Sequence, residues 1–373
     1  SIAAEWGRAR GLRCVVSSSF EGSEVGRSLL AELAVAWGED GEAHGLGVGD
    51  WFASTPGGRG LAESPRVALP LVASPPSGQG VGEGAGRSQV LSEKHLENAH
   101  GRMRFLEVGP GQEGLAPLVF LHGFLGEAED WEPVARALAA TGRRVVLADL
   151  PGHGGSSLSC PPGSGLPTVE SAAAAVGALL EELDLSDVVL VGYSLGARVA
   201  LAAGAGKDPR VAAVVSVSGS PGLRDADERR ERAERDSSLA RALEAGGIES
   251  FTESWYRLPM FAPFVQSPLA PRALERRRGR GNSAALAGAL EGMSPGRAAP
   301  VWGRATRGGE LPVLFLAGEL DAKFCRLAQA AAAEEPGGAA EMETLPGGGH
   351  ALHLELPVAL AAALSRFLAR HAL

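Results

Sequence analysis

Apolar residues along this chain fall into short unbroken runs, separated by stretches in which they recur at helical spacing. The runs Leu118–Leu121, Val145–Leu147, Val188–Val191, Val211–Val217 and Leu311–Leu316 have the length of strands and almost no polar residue. That is the pattern of strands buried on both faces. Between them Ala135–Ala140 and Val169–Leu183 read as helices, and Val358–Ala372 closes the series as another. Buried strands alternating with helices predict an α/β fold with a doubly wound, mostly parallel sheet.

One segment breaks the rhythm. From about Leu223 to Trp302 no buried strand appears, and the charged stretches DADERRERAERD and LERRRGRGN read as helix. This segment lies between the strand ending near Ser218 and the one near Leu311, as a helical cap inserted over the strand ends would. The N-terminal part is organised differently. Residues 1–65 hold an amphipathic stretch, a short apolar run Cys14–Val16 and a helical run Val25–Trp37, whereas 66–98 are rich in Pro, Gly and Ser. Such a composition buries too little surface to order itself and reads as a flexible linker. The expected organisation is therefore 1–65, a linker over 66–98, and a main domain over 99–373 with its cap at about 223–302.

Composition narrows the function classes. The chain has 373 residues, 45% hydrophobic and 21% charged, which argues against disorder. A net charge of −9 leaves no electrostatic footprint for nucleic acid. No uncharged run of about 18 residues reads as a membrane span. Cys14, Cys160 and Cys325 lie far apart, so neither a disulfide framework nor a zinc site is indicated, and no metal or cofactor is expected. Lysine occurs only as Lys94, Lys207 and Lys323, and isoleucine only as Ile2 and Ile248. A GC-rich coding sequence accounts for this bias, so alanine-rich helices and isolated glycines carry no functional weight. The chain starts at Ser1 inside a helical pattern and reads as a piece of a longer protein; no targeting segment can be read from it.

The sharpest chemical signal is Gly192-Tyr193-Ser194-Leu195-Gly196, directly after an apolar strand and directly before a helical run. That is the context of a nucleophile elbow, with Ser194 presented at the top of the sheet. A serine needs a base and an orienting acid, in this fold in the order Ser, acid, His. Asp321 and His350 follow strands in that order, with Glu319 the rival acid and His353 the rival base. The backbone N–H groups of Phe124, in Leu121-His122-Gly123-Phe124, and of Leu195 are placed to converge on one oxygen. Asp149-Leu150-Pro151-Gly152-His153-Gly154 reads as a structural turn, with His153 a loop hydrogen-bonder. Arg198, four residues after Ser194, lies on the same helix face, where a guanidinium suits carboxylate recognition.

LHGFLGEAEDW, ADLPGHGGS, VGYSLGARVAL, FTESWYRLPMF, GELDAKF and GGGHALHLELP together resemble the MenH family from about Gly101 to the end. Its members are α/β-hydrolase-fold lyases, the 2-succinyl-6-hydroxy-2,4-cyclohexadiene-1-carboxylate synthases of menaquinone and phylloquinone synthesis. The Trp255-Tyr256, Pro259 and Phe261 signature and Asp321-x-Lys323-Phe324 are the specific parts of the match. The resemblance implies elimination of pyruvate without hydrolysis, with the triad serine removing a ring proton. It implies Ser194, Asp321 and His350 as the triad. It assigns Tyr193, Arg198 and Trp255, and from the cap Arg232 and Arg278, to a substrate bearing several carboxylates. A serine carboxylic-ester or C–C hydrolase with the same triad is the alternative, and a catalytically silent binding module is a third.

CVVSSSFEGSEVGRSLLAELAVAW followed by HGLGVGDWF resembles the C-terminal end of o-succinylbenzoate synthase, an enolase-superfamily barrel. Only the last strand and helix would be present, without that family's catalytic lysines. The two pieces in this order resemble the PHYLLO-type multidomain proteins of photosynthetic eukaryotes. That implies a chloroplast location, or a cytoplasmic one in a bacterium, with upstream domains of the same fusion as partners.

Overall fold

The computed structural model describes residues 91–98, 100–158 and 165–373. The segment 1–65, read as a barrel remnant, lies outside the described residues, as do 66–90 of the linker, Cys14 and Cys160.

Among the described residues nine strands form one sheet: β1 Ser92–Asn98, β2 Gly101–Val108, β3 Leu118–Leu121, β4 Val145–Ala148, β5 Ser157–Leu158, β6 Val188–Tyr193, β7 Val211–Val217, β8 Val313–Gly318 and β9 Ala340–Leu345. Their order is β1-β2-β4-β3-β6-β7-β8-β9, with β5 beside β2. The strands from β4 to β9 along that order run parallel, while β1 and β2 are antiparallel. The buried runs of the sequence supply the parallel strands. In β3, Leu118 and Phe120 face one side and Val119 and Leu121 the other, all at most 1% exposed.

Helices cover both faces, as strands apolar on both sides require. On one face lie α1 (Glu132–Ala139) and α10 (Pro357–Arg370) with Trp131, Leu138, Leu364 and Phe367. On the other lie α2 (Val169–Glu182), α3 (Leu195–Ala205) and α8 (Ala322–Glu334) with Leu179, Val199 and Ala328. Between β7 and β8 the chain leaves the sheet for α4 (Ala226–Tyr256), α5 (Ala262–Val265), α6 (Ala270–Arg280) and α7 (Ser283–Gly292). Asp225 caps α4 by accepting from two backbone N–H groups, and Gly247, at φ 77°, interrupts that helix. The short α9 (Leu352–Glu355) precedes α10.

Residues 92–98, assigned to the linker by composition, are instead strand β1, paired along its length with β2. The strand SEKHLEN is mostly exposed and lacks an apolar face, so no alternation marks it. Backbone pairing at a sheet edge holds it, with ion pairs Lys94–Glu107 and Arg104–Glu93. The strand expected over Leu311–Leu316 lies two residues further on, at Val313–Gly318.

This topology sets where a ligand can sit. The chain passes from β3 to β4 on one side and later returns to place β6 on the other side of β3. Such a switch point opens a crevice beyond the carboxyl ends of the two strands. Here those ends are Leu121-His122-Gly123 and Tyr193-Ser194. They approach so closely that a Cβ on Gly196 would lie 2.2 Å from the Leu121 carbonyl oxygen. Replacing Gly196 with Ala should therefore force β3 and α3 apart and cost at least about 2 kcal/mol, read by urea denaturation. Unchanged stability would show that the two strand ends yield easily.

Candidate active site

β6 enters α3 through a single residue. Ser194 has φ 51° and ψ −101°, a strained conformation for a residue with a Cβ, and its N–H donates to the Val217 carbonyl at 2.9 Å. The turn holds the serine hydroxyl out from the strand end, at the helix N-terminus.

Asp321 and His350 are brought to it from the ends of β8 and β9. His350 Nδ1 lies 2.6 Å from Asp321 Oδ2, and His350 Nε2 lies 3.2 Å from Ser194 Oγ. Asp321 also caps α8, accepting from the Phe324 N–H at 3.3 Å. The rivals are elsewhere. Glu319 accepts from the Gly347 N–H at an exposed turn. His353 is buried against Trp131 and Tyr193, 4.6 and 4.3 Å between ring centres, and neither of its nitrogens has a hydrogen-bond partner among the described residues.

Burial pulls His350 below the ordinary histidine range, and the contact with Asp321 offsets this only in part. A neutral imidazole with its Nδ1 proton donated to Asp321 leaves Nε2 free to accept the Ser194 proton. Three rings hold it: Phe324 at 4.6 Å, Tyr193 at 5.3 Å and Phe261, edge-on, at 5.6 Å. Phe261 comes from the cap, so the cap reaches the base directly.

The loop after β3 closes the other side. A Cβ on Gly123 would sit 2.6 Å from the Tyr193 ring and 3.5 Å from Ser194 Cβ, so only glycine lets this loop lie against the elbow. The N–H of Leu195 is one of the unpaired donors of the first turn of α3. Neither it nor the N–H of Phe124 donates to a backbone acceptor in the surrounding turns. His122 is a brace: its Nε2 accepts from the Leu150 N–H at 2.9 Å, and its Nδ1 lies 2.7 Å from the Gly123 carbonyl. His153, read as a loop hydrogen-bonder, lies 3.1 Å by Nδ1 from the Pro151 carbonyl. The Phe124 ring meets Trp255 at 5.2 Å and Phe251 at 6.2 Å, so aromatic cap residues roof the loop.

Arg198 stands one turn along α3. Its Nη2 donates to the Met293 carbonyl at 3.1 Å, while its buried Nε has no partner among the described residues. Burial pushes its pKa down to about 9, and nearby Arg232 adds to the effect against the opposing Asp236. Arg232 Nε reaches both Asp236 oxygens, at 2.9 and 2.8 Å. Two half-buried cations thus face one buried carboxylate, an arrangement that favours an incoming anion.

Arg278 is not brought in. It is exposed on α6, and the arginines of that helix that turn toward the core are Arg276 and Arg277. Helical phase decides this, and a run of three arginines hides it in the sequence. Phe251 and Asp130 lie in FTESWYRLPMF and LHGFLGEAEDW, two of the stretches that carry the resemblance, but nothing local marks a ring that will roof the loop or a carboxylate that will be buried.

The model of the alpha/beta hydrolase family matches residues 118–363. The chain is 32% identical over 269 residues to a putative 2-succinyl-6-hydroxy-2,4-cyclohexadiene-1-carboxylate synthase of Bacillus subtilis, covering 71% of this chain and 95% of that protein. It is 33% identical to the Klebsiella pneumoniae 2-succinyl-6-hydroxy-2,4-cyclohexadiene-1-carboxylate synthase, covering 70% of this chain and 97% of that one. It is 31% identical to the chloroplastic protein PHYLLO of Arabidopsis thaliana over 72% of this chain, which spans only 16% of that much longer protein. Among solved structures it is similar to MenH from S. aureus, with a TM-score of 0.64, 26% identity, and coverage of 72% and 98%. A Thermogutta terrifontis esterase, at a TM-score of 0.62 and 21% identity, covers 76% of this chain and 100% of its own, and shares the fold.

Two pH effects follow. With neutral His350 as the base, kcat/KM should fall as pH drops through a pKa below about 6.5. A limb well above 6.5 would contradict the buried, neutral base. Stability depends on His153 and His353, whose pKa values burial pushes down to about 3. The folded state keeps both neutral while the unfolded chain takes up protons below about 6.5. Their contribution is therefore complete above that pH and is lost as pH falls toward 3, by about 1.4 kcal/mol per histidine per unit. Urea midpoints unchanged between pH 7 and 5 would refute it.

Proposed function

This chain belongs to the 2-succinyl-6-hydroxy-2,4-cyclohexadiene-1-carboxylate synthase family of α/β hydrolases, and from that membership we propose that it eliminates pyruvate from 2-succinyl-5-enolpyruvyl-6-hydroxy-3-cyclohexene-1-carboxylate in menaquinone or phylloquinone biosynthesis. His350 accepts the Ser194 proton through Nε2, and the Ser194 oxygen removes a ring proton from the substrate. The electrons of that C–H bond are delocalised onto a conjugated oxygen, toward which the Phe124 and Leu195 N–H groups are directed. They then form the new ring double bond as the C–O bond to the enolpyruvyl group breaks. The group leaves as pyruvate after taking up a proton, and no water is consumed.

The observation that carries this reading is Arg198. A half-buried guanidinium whose buried Nε has no partner among the described residues, beside a second arginine, is costly unless an anion completes it. A substrate with several carboxylates supplies that anion; a neutral ester does not. The aromatic wall of Tyr193, Trp255, Phe251 and Phe261 suits the apolar faces of its ring. The match to the chloroplastic PHYLLO supports, in the same spirit, a chloroplast setting and upstream domains in one fusion. The bacterial relatives support a free-standing enzyme equally well.

Incubating the purified chain with the product of the preceding enzyme should release pyruvate in step with the cyclohexadiene product. Ester turnover without pyruvate release would replace the lyase by a hydrolase. Ser194→Ala should reduce pyruvate release by about 10³-fold or more with the fold intact. Retention of most of the activity would remove the triad reading. Arg198→Ala should cost roughly 2–4 kcal/mol in transition-state stabilisation, whereas the exposed Arg278→Ala should change kcat/KM less than about twofold. Equal effects of the two would mean that Arg198 does not meet the substrate carboxylates.

A further inference from the structure

Beneath the aromatic roof lies a cluster of buried charges that the elimination does not use. Asp130, in the short 3-10 turn Ala128–Trp131, is 1% exposed. Its Oδ1 accepts from Arg276 Nη2 at 2.9 Å and its Oδ2 from Arg277 Nη2 at 2.6 Å. Arg276 Nε also lies 2.5 Å from Glu127. Both arginines belong to cap helix α6; both carboxylates belong to the segment that continues the Gly123-Phe124 loop. Burial works against the Asp130 charge, and the guanidiniums of Arg277 and Arg276 overcome it and hold its carboxyl below the usual range.

The pair is poorly satisfied for so dry a place. Arg277 Nε and Nη1 have no hydrogen-bond partner among the described residues. The guanidinium lies instead over the rings of Tyr256 and Phe264, at 5.4 and 5.6 Å. Replacing a buried ion pair by apolar groups is often neutral or stabilising, so stability is a weak reason to keep this one. Its distinctive property is direction: charge-assisted bonds fix distance and angle, whereas apolar contacts slide. What it fixes is the cap against the loop. From Asp130 the chain runs back four residues to Gly126, whose N–H donates to the Gly123 carbonyl at 3.0 Å, next to Phe124. From Arg277 contact passes to Tyr256, then to Phe261 at 4.9 Å, then to His350.

We propose that the buried Asp130–Arg277 pair, braced by Arg276 and Glu127, is a positioning element that registers the cap against the oxyanion loop and so sets the turnover rate rather than the stability of the fold. The proposal rests on Ser194 as the reacting centre and not on the identity of the substrate.

The test is the double variant Asp130→Leu/Arg277→Met of the full chain, assayed on whichever substrate the pyruvate experiment selects. The expected result is a melting temperature within about 3 °C of the parent, with kcat at least about tenfold lower and KM within about twofold. Amide hydrogen exchange over residues 123–127 should quicken in the same variant, a readout that does not depend on the reaction. Parental kcat in a folded double variant overturns the proposal, and so does a lower kcat without faster exchange at 123–127. Should the double variant fail to fold, Arg277→Lys keeps the charge but loses the planar fork. That variant should fold and lose several-fold in kcat at unchanged KM, and parental kcat in it is equally fatal.

Discussion

The close approach of β3 and β6 at the switch point is the constraint on which the rest of this structure depends. Glycine at position 196 lets the first turn of α3 touch the end of β3, and glycine at 123 lets the following loop lie on Tyr193. With both in place, Ser194, strained at φ 51°, stands at the end of β6 against the loop that follows β3. The sheet holds the strain: Ser194 is tied to β7 by its own N–H, and β6 is hydrogen-bonded on both edges. A less constrained turn would relax toward ordinary backbone angles and withdraw the hydroxyl.

Removal of water then has two opposite effects, one at His350 and one on α3. It holds His350 neutral, ready to take a proton, because Asp321 offsets burial only in part. It also leaves Arg198 charged but under-satisfied, because no carboxylate among the described residues pairs with it and Asp236 is occupied by Arg232. Burial thus keeps one side chain free of charge and leaves another in want of an anion. In water neither feature would persist, since solvent would protonate the one more easily and satisfy the other.

The cap is what makes the centre dry. Its aromatic residues reach Phe124 of the loop after β3 through Phe251 and Trp255, and His350 through Phe261, so its placement governs solvent access and geometry together. Apolar rings define such a surface loosely. The two arginine–carboxylate contacts beneath them add the directional part, anchored in the 3-10 turn that follows the loop.

Some of this was decided by local sequence alone. Unbroken apolar runs can be satisfied only by strands buried on both faces, so the α/β sheet was legible, as was the charged helical insertion. The elbow was legible because Gly-x-Ser-x-Gly follows an apolar run and precedes a helix, and chain order pointed to Asp321 and His350. Tertiary structure decided the rest. Glu319 and His353 lie within three residues of the chosen pair and are chemically equivalent to them. Which side chain reaches Ser194 depends on the directions in which β8 and β9 end, and those are set by pairing with distant strands. Strand β1 was invisible because it is polar on both sides and exists through backbone pairing with β2. The choice of Arg277 over Arg278 depends on the rotational phase of α6 against Asp130, a residue almost 150 positions earlier. Sequence patterns record what each segment must bury; which partner it meets there is a property of the assembled sheet and cap, where packing of remote residues outweighs any local signal.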